Sequence, residues 1–504
     1  MSSRPTEKPC VLGFDQFGFA VFRRNCDKWK QEHRSHEYSY PSVDSSKLES
    51  WQKMLSNWNE AGASCMDKMH ILLEDGVPIK LRGRLWKCLL DSDLVKESST
   101  HTYQEYVQEL RSQLASLGVN EYGVQVAIST LDNADKERAE TDSAAPNLMP
   151  NYNPEITIET LRQIVLDVER SFPTHCSLMG KNPEAKEGQA KLFRILSAYA
   201  KYNPQIGYCQ GMSYIAAMLL MNMQEEDAFW AFVVLLEKPK YLAGFYEHSL
   251  DTIQRHAKIF QQLLKHRMPC LWQHMDNLEV APLLFITTWF LTLFTSLPCW
   301  DSVLAIWDLI ILDGINVMFS TGLCILQLLE PRLLAMSDVS VLLPTLLRIP
   351  VDVSRYNVLV PALWLTKVHK WELDCMQSVV LEEEEEALLS SGKLSIQATT
   401  VEKMTKQNGK KTPDIKGADG KRSTRSSASV GKETLKDTLT KMLKIARCYL
   451  QDLRHLSEGH KETLSQEKAL IIPGHSKRWS TTVNSKGQAR RGISGKGRSE
   501  KTSR

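Results

Sequence analysis

The pattern that most constrains this chain is the return of apolar residues at every third or fourth position from about Met69 to Leu373. This spacing gathers apolar side chains on one face of a helix, and no segment shows the convincing alternation that is typical of a half-buried strand. Long amphipathic segments with short connections bury their apolar faces well against other helices. The sequence therefore predicts an all-α fold, with about ten to sixteen helices in one large domain over residues 69–380.

Three regions depart from this pattern. Residues 1–68 hold an aromatic stretch, GFDQFGFAVF, and then a segment with helical apolar spacing, which predicts an N-terminal extension packed on the domain. Residues 117–155 are mostly polar and predict an inserted loop. Residues 381–504 begin with an acidic run and continue as a Lys/Ser/Thr/Gly-rich tail. We expect this tail to be mostly disordered, apart from an amphipathic helix over 434–458.

Charge is divided unevenly along the chain. Lys and Arg number 36 against 49 Asp and Glu in residues 1–390, and 26 against 10 in residues 391–504. Basic segments are attracted to anionic lipid surfaces and also to nucleic acids or acidic proteins. Because the basic residues are dispersed among Ser and Thr, we expect weak contact with an anionic membrane surface or a partner, and no specific nucleic acid.

Cysteine usage and missing motifs narrow the chemistry. The eleven cysteines fall singly, with no CxxC pair and no zinc-ligand spacing, and the N-terminal residues lack the apolar core of a signal peptide. We therefore expect the thiols to be reduced and the protein to be cytoplasmic. The protein is expected either in solution or attached peripherally to endomembranes or the plasma membrane. The phosphate-loop, HExxH, GxSxG and protein-kinase motifs are missing, so no nucleotide, cofactor or metal site is predicted. Cys209 with His175 forms a candidate nucleophile pair, although a small buried hydrophobe is the favoured interpretation of this cysteine.

One uncharged run has the length of a membrane span. It covers 21 residues between Glu279 and Asp301. Pro282 and Pro298 shorten the usable helix, and no Lys/Arg cluster flanks the run to set an orientation. The run is predicted to be a buried core helix, with a membrane span as the alternative.

Residues 155–173, EITIETLRQIVLDVERSFP, have a continuous apolar face and predict an amphipathic helix that Pro173 ends. Arg170 falls on the polar side of the last turn. Asp167 lies three residues earlier, close enough on the helix surface to hold the guanidinium. Taken alone, this pair is most simply an exposed ion pair near a helix C-terminus.

Residues 192–223 predict two apolar helices around the turn sequence NPQIGYCQG. Tyr208, Gln210 and Met212 then fall where the second helix begins, so a rigid element could present the Gln210 amide to a partner. Taken alone, the simpler interpretation is that Gln210 caps the helix and Tyr208 fills a groove.

Three motifs in chain order make the chain resemble a TBC domain, the GTPase-activating module for Rab-type small GTPases. The segments that match RxxxW, IxxDxxR and YxQ are RGRLW (82–86), IVLDVER (164–170) and YCQ (208–210). WFLTLF and AIWDLIILDG follow them, and the similarity covers about residues 76–335. The sequence around YCQ and the FGF of the aromatic stretch resemble most closely the RN-tre-like branch of the family.

The resemblance implies that Arg170 enters the active site of a GTP-bound Rab and neutralises charge on the transferred phosphoryl group, while Gln210 orients the attacking water. The supporting residues that it implies are Asp167, Tyr208, Gly211, Arg82 and Trp86. Asp167 is expected to orient Arg170, and Tyr208 with Gly211 to shape the loop that carries Gln210. Arg82 and Trp86 are expected to be structural, since Trp86 lies in a core-like pattern. No cofactor is implied, because GTP and Mg²⁺ belong to the Rab.

Two other functions stay open at this point. One is a Rab-binding scaffold or adaptor that acts through the helical domain and the basic tail without catalytic stimulation. The other is a membrane protein that spans the bilayer through residues 280–300. The insertion at 117–155 also separates the first two motifs by more than the family's commoner spacing. The sequence does not determine how this insertion runs past the groove that would face the Rab.

Overall fold

The computed structural model describes residues 11–23, 34–58, 65–124, 156–247 and 249–390. The strands are β1 (Val11–Phe14) and β2 (Ala20–Phe22). The helices are α1 (Ser45–Ser56), α2 (Cys65–Glu74), α3 (Ile79–Leu90), α4 (Ser92–Ser98), α5 (Tyr103–Ser116), α6 (Ile158–Arg170), α7 (Pro183–Tyr202), α8 (Met212–Asn222), α9 (Glu225–Glu237), α10 (Asp251–Arg267), α11 (Pro269–Asn277), α12 (Leu283–Leu291), α13 (Trp300–Asp313), α14 (Asn316–Leu334), α15 (Val339–Leu347), α16 (Val351–Ser354), α17 (Tyr356–Leu365) and α18 (Lys370–Ser390).

The prediction of an all-α domain is confirmed. In the described part of the domain every regular element is a helix, and seventeen helices, α2 to α18, make it up. This is one more than the upper end of the predicted range, because short pieces such as the four-residue α16 carry too few apolar positions to be separated by periodicity.

In its described residues, the N-terminal extension contributes a small hairpin and the helix α1. β1 pairs antiparallel with β2, with an irregularity in register between Val11 and Gly13. Farther along, the Trp51 side chain of α1 is fully buried and its indole N–H donates to the carbonyl oxygen of Gly76 at 3.1 Å. The backbone N–H of Ser39 donates to Oδ2 of Asp301 at 2.9 Å. These described parts of the extension therefore pack directly on the helical domain.

Helix α7 occupies the centre of the N-terminal half, where it contacts α5, α6, α8 and α9. It begins at Pro183 after Asn182, whose side chain accepts a hydrogen bond from the backbone of Ala185 at 2.7 Å. Two charged side chains inside its packed surface are paired, Arg194 with Glu225 at 2.7 Å and Lys201 with Glu109 at 3.0 Å. Because buried charges are costly unless paired, these contacts fix how α7 sits against its neighbours.

The uncharged run at 280–300 is not a single helix. Its helical part, α12, has nine residues and a length of about 14 Å, far short of the ~30 Å of a bilayer core. Phe285 and Trp289 on α12 are buried in the domain, so the interpretation as a core helix is confirmed. Among the described residues, α14 has the length and apolar composition to cross a membrane, and 67% of that stretch is buried inside the protein.

The structure describes residues at two of the predicted boundaries. The inserted loop at 117–155 lies mostly outside the described residues, but its beginning is anchored: Glu121 accepts a hydrogen bond from Arg111 at 2.8 Å, and Tyr122 donates to Glu187 at 2.7 Å. Helix α18 continues through the acidic run to Ser390, so the tail boundary placed at 381 falls inside a helix. The expected helix at 434–458 lies outside the described residues.

Candidate functional site

Arg170 is the last residue of α6. The helix starts after Thr157, whose hydroxyl accepts from the backbone of Thr160 at 3.1 Å, and it runs for 13 residues. The predicted apolar face is buried, and its members are Leu161, Ile164, Val165, Val168 and Phe172. On the opposite side the Arg170 side chain remains 47% exposed. The packing of one face thus leaves a guanidinium at the surface, at the end of a fixed helix.

Asp167 lies beneath Arg170 and is almost fully buried. Its Oδ1 is 3.6 Å from Nη1 of Arg170, which is an ion-pair distance rather than a hydrogen bond. Its Oδ2 accepts hydrogen bonds from the Gln163 amide at 2.9 Å and from the Tyr208 hydroxyl at 2.8 Å. One carboxylate therefore contacts both the arginine at the end of α6 and the tyrosine of the distant YCQ motif.

Tyr208 is protonated at neutral pH and donates to Asp167. Burial and the negative charge of Asp167 raise the pKa of the Tyr208 hydroxyl well above its usual value. A hydroxyl that keeps its proton supplies the donor that a buried carboxylate requires. This hydrogen bond holds the Tyr208 side chain against α6.

The turn between α7 and α8 holds Gln210 at its end. Gly207 adopts a left-handed backbone (φ 62°) and its N–H donates to the carbonyl of Asn203 at 2.8 Å. Gly211 has φ 109°, and a Cβ at this position would lie 3.1 Å from the carbonyl oxygen of Leu291. Both the backbone angle and the close approach explain why glycine follows Gln210.

Gln210 itself is half-buried. Within the described ranges, its carboxamide has no hydrogen-bond partner. Its two N–H donors and its oxygen acceptor are thus without a hydrogen bond to the described residues. The capping interpretation of Gln210 is wrong, since the N-cap residue of α8 is Gly211 and no side-chain cap hydrogen bond is present among the described residues.

Arg82 and Trp86 lie away from this surface, and both are fully buried. Arg82 Nε is 3.1 Å from Oδ1 of Asp308, and Nη2 donates to the Tyr40 hydroxyl at 2.5 Å. The indole N–H of Trp86 donates to the same Asp308 oxygen at 2.7 Å, and its ring stacks on Trp307. The RxxxW motif is thus a buried link between α3 and α13.

Asp308 was not singled out by sequence reasoning, although it lies in AIWDLIILDG. A polar residue on a helix whose neighbours are nearly all buried is the signal that could have identified it. Phe172 was identified only as part of an apolar face. In the structure it has a left-handed backbone (φ 47°) and packs on Tyr214 and Trp300.

The candidate nucleophile pair is wrong. His175 Nδ1 lies 2.7 Å from the Ser177 hydroxyl, and Nε2 lies 3.0 Å from the carbonyl oxygen of Phe17. Burial lowers the pKa of His175 to about 4. Both ring nitrogens are thus engaged in a neutral ring, so His175 cannot serve as a base for Cys209.

Residues 79–334 match the model of a protein family described as the Rab-GTPase-TBC domain. TBC1 domain family member 10A of Mus musculus is 30% identical over 277 residues, which cover 55% of this chain and 45% of the relative. TBC1 domain family member whacked of Drosophila melanogaster is 30% identical over 276 residues, which cover 55% of this chain and 62% of the relative. The chain therefore spans about half the length of these curated relatives.

The crystal structure of the Chlamydomonas flagellar RabGAP TBC domain is similar with a TM-score of 0.43 and 20% sequence identity, over 70% of this chain and 99% of that one. All three motifs that contain the candidate site residues lie within the matched range 79–334. The RN-tre-like branch stays a prediction.

Proposed function

The chain belongs to the Rab-GTPase-TBC domain family, and from this membership we propose that it accelerates GTP hydrolysis by a Rab-type small GTPase in its GTP-bound form. Such a protein completes the active site of its partner. It needs no cofactor of its own, because GTP and Mg²⁺ arrive with the GTPase.

Hydrolysis requires a water molecule in line with the γ-phosphorus and a positive group beside the negatively charged phosphoryl oxygens while the bond to the β-phosphate oxygen breaks. Arg170 supplies that charge from the surface end of α6. The Gln210 carboxamide orients the water through its acceptor and donor groups, and the products are GDP and inorganic phosphate. Asp167 orients Arg170, and Tyr208 fixes the turn between α7 and α8 that carries Gln210.

The observation that carries this proposal is the Asp167 carboxylate, which contacts both Arg170 and Tyr208. Tyr208 lies only two residues before Gln210. Because the buried carboxylate connects α6 with the turn before α8, the arginine and the glutamine are held on neighbouring elements rather than on separate mobile loops. Catalytic groups on fixed elements lose less freedom when the partner docks.

Single-turnover phosphate release from a panel of GTP-loaded Rabs tests the proposal. Arg170→Ala is expected to remove most of the acceleration, since an arginine supplied in trans contributes about 10³ to 10⁵ in rate. Arg170→Lys is also expected to lose most of the acceleration, because the lysine ammonium cannot reproduce the planar set of N–H donors of a guanidinium. Gln210→Ala should also be strongly impaired, with the protein still folded.

Arg355→Lys is the matched control, since Arg355 is 48% exposed and also lies in an ion pair, with Glu37 at 3.3 Å. It should accelerate hydrolysis like the unaltered chain. Full acceleration by Arg170→Lys would overturn the role of Arg170. Binding of GTP-loaded Rab without acceleration by the unaltered chain would instead identify a scaffold.

We also propose a cytoplasmic protein whose basic tail attaches weakly to an anionic membrane. The support is the charge of residues 391–504, with 26 basic against 10 acidic side chains. Deleting these residues should abolish binding to vesicles that contain phosphatidylserine and leave the acceleration of hydrolysis in solution intact. Vesicle binding that survives the deletion would contradict this assignment.

A further inference from the structure

The N-terminal hairpin is attached to the segment that directly follows Arg170. The backbone N–H of Ala20 donates to the carbonyl of Thr174 at 2.9 Å, and the N–H of Cys176 donates to the carbonyl of Gly18 at 2.8 Å. His175 adds its ring contact with the Phe17 carbonyl at 3.0 Å. Residues 11–22 lie outside the matched family range, yet they pair with the chain four to six residues after the arginine.

Phe19 is the centre of this attachment and is fully buried. Its ring centroid lies 4.8 Å from that of Trp300, 5.1 Å from that of His175 and 6.3 Å from that of Phe172, with edge-to-face geometry in each case. The Arg34 guanidinium covers the ring at 4.1 Å. Aromatic pairs and cation–π contacts of this kind fix the position of a side chain beyond simple burial.

Phe172 connects this cluster with both parts of the candidate site. It lies two residues after Arg170, and its ring is 5.4 Å from Tyr214, which belongs to the helix that follows Gln210. Its left-handed backbone, φ 47°, is unfavourable for a bulky side chain and persists only where packing holds it. Ser171, which lies between Arg170 and Phe172 in the chain, is buried, and its hydroxyl donates to the carbonyl of Asp167 at 2.7 Å.

We propose that the N-terminal hairpin is a working part of the site, in which Phe19 is a positioning residue that holds Arg170 in place through Phe172. This inference rests on the proposed function of Arg170. The packing of Phe19 on Phe172 sustains the left-handed turn, and that turn sets the direction in which the chain leaves α6. Loss of this support lets the turn relax and moves the arginine backbone, and displacements of about 1 Å can cost about a hundredfold in rate.

A matched pair of glycine substitutions on the hairpin tests the attachment. A Cβ at Gly18 would lie 2.7 Å from His175 Nε2 and 3.0 Å from Cys176 Sγ, whereas a Cβ at Gly13 meets nothing within 4 Å. In the full-length chain, Gly18→Ala should lower kcat for Rab GTP hydrolysis by about tenfold or more with KM within about twofold. Gly13→Ala, the same change on the same hairpin, should leave both parameters unchanged.

A double-mutant cycle separates positioning from a general loss of folding. Phe19→Ala should weaken binding to a Rab loaded with GDP and aluminium fluoride, which mimics the transition state, by about tenfold, and should leave binding to the same Rab with a non-hydrolysable GTP analogue unchanged. In the Arg170→Ala background, Phe19→Ala should cause no further loss, because its effect acts through the arginine. Phe19→Tyr, which keeps the ring, should restore most of the affinity.

Each outcome distinguishes this inference from the proposed function. If the unaltered chain accelerates no Rab, the proposed function fails and this inference fails with it. If the unaltered chain is active and Gly18→Ala matches Gly13→Ala, the positioning role alone is wrong. The same conclusion follows if Phe19→Ala weakens the two Rab complexes equally, or if its effect is undiminished in the Arg170→Ala background.

Discussion

The hydroxyl oxygen of Tyr208 lies 2.8 Å from Oδ2 of Asp167, a contact between two motifs that are 41 residues apart in the chain. Because Asp167 is buried, its carboxylate oxygens need hydrogen-bond donors, and among the described residues the Gln163 amide supplies the other hydrogen bond to Oδ2. The contact thus ties the position of the YCQ turn to the end of α6.

Replacing Tyr208 with phenylalanine should therefore damage activity and stability together. The buried carboxylate loses a charged hydrogen bond, and we expect a loss of about 1 to 3 kcal/mol in the free energy of unfolding by urea. Acceleration of Rab GTP hydrolysis should fall at least severalfold at saturating concentrations of the chain. Tyr122→Phe is the control, because Tyr122 is 49% exposed and donates to Glu187 at 2.7 Å. A Tyr208→Phe protein as stable and active as this control would show that the contact has no importance.

Asp308→Asn should destabilise the fold far more than an ordinary surface change. Arg82 is fully buried, and this substitution leaves its charge without a compensating carboxylate. Breaking a buried pair in this way costs about 3 to 5 kcal/mol. Asp352→Asn removes the carboxylate of an exposed pair with Arg332 and should cost about 0 to 1 kcal/mol. Chemical denaturation of both variants measures the difference, and equal losses would contradict a buried structural role for the motif.

Gly83→Ala tests the close packing inside the RxxxW motif. A Cβ at Gly83 would lie 1.9 Å from the carbonyl oxygen of Asn222, so α3 and the end of α8 must separate. We expect a loss of about 1 to 3 kcal/mol or more in the free energy of unfolding, and hence a lower thermal midpoint of unfolding. At Gly123 the nearest atom to such a Cβ is 3.4 Å away, and Gly123→Ala should change the thermal midpoint little. Similar midpoints for the two variants would argue against the tight contact.

Stability should fall as the pH is lowered from about 6.5 to about 4, in part because of His175. Burial lowers its folded-state pKa from 6.5 to about 4. Between these values the unfolded chain binds a proton that the folded chain does not, so the free energy of unfolding decreases with decreasing pH. At about 1.4 kcal/mol per pKa unit, this group contributes up to about 3 kcal/mol.

His175→Gln keeps an amide that can donate toward the Phe17 carbonyl and does not titrate. Its unfolding free energy, measured by urea titration at several pH values, should depend less steeply on pH in this window. His256 remains in both proteins and its pKa is also lowered by burial, so the difference between the two curves isolates His175. If the unfolding free energy of the two proteins has the same dependence on pH in this window, His175 does not contribute to the pH dependence.

The sequence predicted the local part of this architecture well. The helix with Arg170 and Asp167, the turn before Gln210 and the core position of α12 all follow from apolar spacing and from proline and glycine placement, which act over a few residues. The contact between Asp167 and Tyr208 did not follow, because it depends on how α6 packs beside α7 and α8. No local pattern encodes that distance.

Asp308 and Phe19 were missed for the same reason. The structural role of Asp308 depends on its hydrogen bonds with Arg82 and Trp86, which lie more than 220 residues away in the chain. Phe19 looked like one aromatic residue in a short N-terminal stretch, and only the fold brings it to Phe172. A periodicity argument detects that such residues are apolar or charged, whereas their roles are set by long-range packing.

The hairpin also has a consequence for the order in which the protein matures. During translation, Phe19 leaves the ribosome long before Thr174 and His175 exist, and a lone two-stranded hairpin is marginal in water. It can dock only after α6 and the segment behind it have been synthesised and folded. Because Phe19 also packs on Trp300 of α13, its burial is complete only after more than half of the chain has been made.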